Sequence, residues 1–173
     1  MLRFILLLLL YFISLLFSSI RAQTPNTKPC SDKAYYQFDF WIGNWNVFNS
    51  EGKLIGENHI KSMPNACAIQ ENWTSTNGNS LGTSYSYYDI SDKKCHQLWI
   101  DNKGFVLETN GSYKNNEMIL TSEVVQNKKQ PYYNKIIWKK NDNGSVTQIW
   151  QYLSPDHKLI KEAFKGIYKR KKS

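Results

Sequence analysis

The sequence predicts an all-β fold: about ten antiparallel strands in an up-and-down barrel, with one short helical turn near the N-terminus. Three observations predict it. Turn signals recur at short intervals: Ser50-Glu51-Gly52, Met63-Pro64-Asn65, Asn77-Gly78, Ser91-Asp92-Lys93, Asn102-Lys103-Gly104, Lys114-Asn115-Asn116, Asn141 to Gly144 and Ser154-Pro155-Asp156. Asn, Asp and Gly tolerate the positive φ that tight hairpins need. The runs between them are rich in Tyr, Trp, Ile, Val and Thr, the strand formers. A chain of consecutive hairpins also leaves exposed sheet edges, which closure into a barrel removes. A sandwich is the competing arrangement.

This punctuation places strands near 44–49, 54–62, 66–74, 82–89, 94–101, 104–110, 117–125, 132–140, 145–152 and 158–169. Only Asp32 to Phe40 suits a helical turn, capped by Ser31 or Asp32. Asn110-Gly111-Ser112 and Asn143-Gly144-Ser145 match glycosylation sequons, as does Asn72-Trp73-Thr74, but the first two read better as hairpin turns.

The first residues speak to compartment. Arg3 precedes an almost wholly apolar run from Phe4 to Ile20, and Ala22 offers a small residue for cleavage. A basic start, an apolar run and a small-residue exit read as a secretory signal peptide, 1–22. An uncleaved anchor is the alternative, because the run sits at the lower limit for spanning a bilayer. The expected organisation is then a lead-in over 23–32, one barrel domain over 33–170 and a basic tail over 171–173. About 150 residues remain after cleavage, enough for one core. The expected location is secreted or periplasmic, with no stable membrane anchor after cleavage.

Net charge is +8, concentrated toward Lys165, Lys169, Arg170, Lys171 and Lys172. No recognition helix or nucleic-acid motif accompanies it, so nucleic acid is not an expected partner. Three cysteines in an exported chain suggest one disulfide and one leftover thiol, and spacing alone does not choose the pair. His59, His96 and His157 are scattered without metal-ligand spacing, so neither a metal nor a cofactor is expected. No G-x-S-x-G or other nucleophile motif occurs.

Phe38-Asp39-Phe40-Trp41-Ile42-Gly43-Asn44-Trp45 opens the first strand, and Gly166-Ile167-Tyr168-Lys169-Arg170 closes the last. The pair resembles the lipocalin and calycin signature. That resemblance implies that Gly43 and Trp45 close one barrel end, with Arg170 or Lys169 over the indole. The chain is also similar, across nearly its whole mature length, to a family of exported bacterial domains of unknown function. The matching motifs are Gly56-Glu57-Asn58-His59-Ile60, Cys67 to Trp73, Ser84 with Tyr88-Asp89, Gln97 to Asp101 with Gly104, Gln148-Ile149-Trp150 and the final Gly166 to Arg170. Ala66 stands where that family usually has Gly, and Cys95-His96 where it has Trp and a basic residue. Cys30 and Cys67 fit the family pattern and Cys95 does not, which implies a Cys30–Cys67 bridge.

Three strands carry a polar side chain two residues before a tryptophan: Glu71-Asn72-Trp73, Gln97-Leu98-Trp99 and Gln148-Ile149-Trp150. Residues i and i+2 of a strand face the same side. Glu71, Trp73, Gln97, Trp99, Gln148 and Trp150 are therefore candidate ligand-binding residues around one interior pocket. Hydrophobicity alone opposes this, because it would bury Leu98 and Ile100 instead. Glu71 needs a partner if it faces inward; Lys135, Gln97, Gln148 or a tyrosine hydroxyl are the candidates, and without one it is a weak candidate general base. The leading functional reading is a barrel that binds a small, partly apolar molecule. The alternatives are an isomerase or cyclase using Glu71 as base, and an interaction module with a filled core.

Overall fold

The computed structural model describes residues 28–172. The signal segment and residues 23–27 of the lead-in lie outside the described residues. Ten strands form: β1 Gly43–Phe48, β2 Leu54–Ser62, β3 Ala68–Ser75, β4 Leu81–Asp89, β5 Lys94–Asp101, β6 Val106–Lys114, β7 Glu117–Thr121, β8 Tyr133–Lys140, β9 Val146–Leu153 and β10 Leu159–Arg170. Each pairs antiparallel with its sequence neighbours, and β1 pairs with β10, so the sheet closes into a barrel. No sandwich forms.

The expected N-terminal helical turn is a 3₁₀ turn, Lys33–Tyr36, whose Asp32 cap accepts from the Ala34 amide at 2.8 Å. A second turn, Asp39–Trp41, follows at once, and a third, Pro64–Ala66, joins β2 to β3. Ala66 holds φ of +56°, a left-handed conformation in which glycine is the usual residue.

One turn assignment is corrected. Asn110-Gly111-Ser112 is not a hairpin but the middle of β6, which continues to Lys114. Gly111 pairs with Cys95 on one side and Leu120 on the other. A Cβ there would meet the Ile119 carbonyl oxygen at 2.0 Å, so the glycine serves close strand approach rather than a turn. The true turn is at Asn115 and Asn116, with φ of 54° and 64°. Asn143-Gly144 does turn, with Gly144 at φ of 78°.

The barrel interior divides into a filled half and an open half. At the filled end the two N-terminal turns press Phe38 and Trp41 into the opening. Phe38 stacks on Trp41 with centroids 5.1 Å apart, and both rings contact Trp138. Trp45 is buried beside them and donates its indole N–H to the Trp41 carbonyl at 2.8 Å. The Arg170 guanidinium lies 4.5 Å from the Trp45 ring centre and donates to the Ile42 carbonyl. Lys169 points the other way, over Phe48. Gly43 has φ of +147°, and a Cβ there would meet Arg170 Nη1 at 2.4 Å; only glycine admits both the backbone and the guanidinium.

Cys30 and Cys67 form a disulfide, with Cα atoms 5.1 Å apart. It ties the chain ahead of the first turn to the start of β3. Cys95 is free and buried, and burial pushes its thiol up to about 11. Among the described residues no helix is long and apolar enough to cross a membrane.

Candidate functional site

The open half holds a cavity of about 220 Å³. Glu71 and Trp73 of β3, Gln97 and Trp99 of β5, and Gln148 and Trp150 of β9 all line it. Leu107, Ile136, Ala163 and Phe164 supply most of the remaining wall. Strand alternation accounts for the placement. Gln97 is 4 % exposed, whereas Ile100, in the other frame of β5, is 46 % exposed. The apolar residues that hydrophobicity would bury are therefore turned outward, and the polar-Trp frame faces in.

Room for the cavity comes from glycines opposite the indoles. A Cβ on Gly56 would meet Trp73 at 2.3 Å, and one on Gly82 would meet Trp99 at 2.2 Å. Each ring therefore packs close over the glycine of the neighbouring strand. Gly82, Ser84 and Ser86 of the inward frame of β4 are all small, while Tyr85 and Tyr87 in the other frame are exposed. This bulk-out, small-in frame is a signal in the sequence that marks the cavity. Trp73 meets Phe164 edge-on, Trp150 stacks with Phe105, and the Trp150 N–H donates to Asn134 at 2.8 Å.

Glu71 sits at the polar side of the cavity and is 4 % exposed. Its partners are two motif residues that were not among the partners expected for it. Asn58 donates to Oε1 and Ser84 donates to Oε2, each at 2.6 Å. Burial pushes the carboxyl up to about 7, and these two hydrogen bonds only partly oppose the rise. Of the partners expected from sequence, Lys135 is excluded: Asn134, Ile136 and Trp138 are the buried frame of β8, and Lys135 lies in the opposite one. Gln97 donates to Ser86 at 3.1 Å instead. Gln148 accepts from the Tyr168 hydroxyl, which in turn lies 3.5 Å from the Asn58 amide. Burial and the nearby Glu71 charge hold the Tyr168 hydroxyl well above its ordinary range.

The histidines lie elsewhere. His59 is on the outer face of β2, His96 pairs with Asp92 at 3.0 Å, and His157 contacts the Tyr133 hydroxyl in the turn before β10. Asp89, Asp92 and His96 come together at the β4–β5 turn. Both carboxylates there accept backbone amides, from Ser91 and Lys94, which is turn chemistry. Asp101 does the same for Lys103 and Phe105.

Compared with known proteins, the chain matches no family model and no curated protein. The closed ten-strand barrel is consistent with a calycin-like fold. The narrower resemblance to exported domains stands on its motifs alone.

Proposed function

We propose that this protein is an exported barrel that binds one small, partly apolar molecule inside its open half. The observation that carries the reading is the cavity itself, walled by three indoles and set with Glu71, Gln97 and Gln148. An apolar wall with a few fixed polar groups is the usual chemistry of a small-molecule site. The size limits the occupant: an apolar cavity of about 150 Å³ holds benzene, so this one suits a single ring with short substituents. Export is supported by the disulfide, which persists in oxidising compartments.

Glu71 at about 7 also suits a general base, the main alternative. Both of its oxygens, however, already accept a hydrogen bond, and these bonds favour the ionised form over the proton uptake a base performs. An interaction module with a filled core fits less well, because the core fills only one end. Native mass spectrometry of protein purified from its source tests the proposal. A single co-purifying small molecule, lost on denaturation and on Trp99→Ala substitution, is expected. A ligand-free spectrum, with no quenching of tryptophan emission by small aromatic compounds, would sink it.

A further inference from the structure

We infer that the molecule this cavity takes is a small organic cation, an alkyl- or arylammonium whose charged nitrogen lies between the indoles and Glu71. The inference rests on the cavity being a ligand site. It deepens that reading by naming the ligand's charge.

Three observations converge. The polar-x-Trp pattern repeats on β3, β5 and β9, yet β5 and β9 carry glutamine and only β3 carries a carboxylate. A site needing only hydrogen bonds would be served by a third glutamine, without the cost of burying a charge. Next, among the described residues nothing positive answers Glu71. None of the cavity-lining residues is Lys, Arg or His, and none of the salt bridges among the described residues involves Glu71. Its two donors, Asn58 and Ser84, are neutral and take one site on each oxygen, while a carboxylate offers about four. Finally, Trp73, Trp99 and Trp150 surround the same space, and indole faces attract ammonium groups more strongly than other aromatic rings do. An anionic ligand would meet Glu71 with no compensating cation. The chain's own charge of +8 gives a cation no help at long range, so selectivity is local to the cavity.

A pH signature follows. The groups packed around Glu71 are Asn58 from β2, Ser84 from β4, Gln97 from β5, Gln148 from β9 and Tyr168 from β10. Only Tyr168 among them titrates, and its proton stays on through the neutral range. In the empty cavity Glu71 exchanges its proton at about 7. A cation selects the ionised form, so its affinity rises with pH toward about 7 and levels off above.

The experiment uses the purified chain and four probes of similar size: benzyltrimethylammonium, benzylamine, benzyl alcohol and benzoate, titrated by calorimetry and by tryptophan quenching. At about pH 8 both cations are expected to bind at least about tenfold more tightly than benzyl alcohol, with benzoate weakest. Benzyltrimethylammonium cannot titrate, so its expected loss of about tenfold per pH unit below about 7 belongs to the protein. Glu71→Gln should erase the preference and the slope. If that variant does not fold, the wild-type slope with the quaternary probe decides. Benzyl alcohol or benzoate binding as tightly as the cations, or a flat slope, overturns the cation and leaves the ligand site standing. No binding by any probe overturns both.

Discussion

Glu71 is the residue on which stability and the proposed binding meet. Its carboxyl moves from 4.5 in the unfolded chain to about 7 in the folded one, because burial disfavours the charge. Between those values the folded chain holds the proton more tightly. Glu71 therefore opposes folding least below about 4.5, and its penalty grows as pH rises through about 7. The span corresponds to on the order of 3 kcal/mol. Glu71→Gln should thus be close to neutral at about pH 4.5 and stabilising by up to about 3 kcal/mol at about pH 8. Urea unfolding of both proteins at each pH measures it; the difference between them isolates Glu71 from every other titrating group. Equal stability differences at the two pH values would mean that Glu71 is not desolvated.

At the scale of elements, the indole-on-glycine pairs keep the cavity open. Gly82→Ala should drive the Trp99 ring off the β4 backbone and into the cavity, since the added carbon would lie 2.2 Å from it. The expected cost is about 1–3 kcal/mol, accompanied by a shifted tryptophan emission and loss of the proposed ligand uptake. Unchanged uptake would show that the ring has another place to go. The disulfide works between elements too. It joins residues 37 apart, so reduction, or Cys30→Ser with Cys67→Ser, should cost about 4 kcal/mol through the freedom regained by the unfolded chain. Cys95→Ser, which touches no bridge, should leave the response to reductant unchanged. Denaturant midpoints with and without reductant distinguish the two.

For the whole molecule, closure is the decisive event. β1 holds to β10 through the Trp45–Arg170, Asn46–Lys169, Val47–Tyr168 and Phe48–Ile167 pairs. Tyr168 is also part of the core and of the polar network that reaches Gln148. Removing residues from Ile167 onward should leave two open edges and an uncovered Trp45, and the product should fail to fold cooperatively by near-ultraviolet circular dichroism. The milder Trp45→Ala should fold but lose about 3–5 kcal/mol, the range for a buried aromatic. A truncated chain that melted like the intact one would deny closure its role.

The sequence by itself determined the class, the number and the bounds of most strands, because turn chemistry is local: Asn77-Gly78, Asp92-Lys93 and Asn115-Asn116 each bend the chain where they stand. It also determined that each polar residue shares a face with its tryptophan, since alternation is a property of one strand. Gly111 misled because an Asn-Gly pair reads the same in a turn and in a crowded strand; only its two neighbours, Cys95 and Leu120, reveal the reason for the glycine. Which face points inward was beyond local reasoning. Leu98 and Ile100 look like core, yet they face out, because closure places the Gly82, Ser84 and Ser86 frame of β4 beside the Gln97 and Trp99 frame of β5. The partners of Glu71 were hidden for the same reason. Asn58 and Ser84 lie 13 residues away on either side, and only cross-strand register brings them within 2.6 Å. The unanswered charge on Glu71 is thus a property of the closed barrel, where five other strands pack around one carboxylate and none supplies a cation.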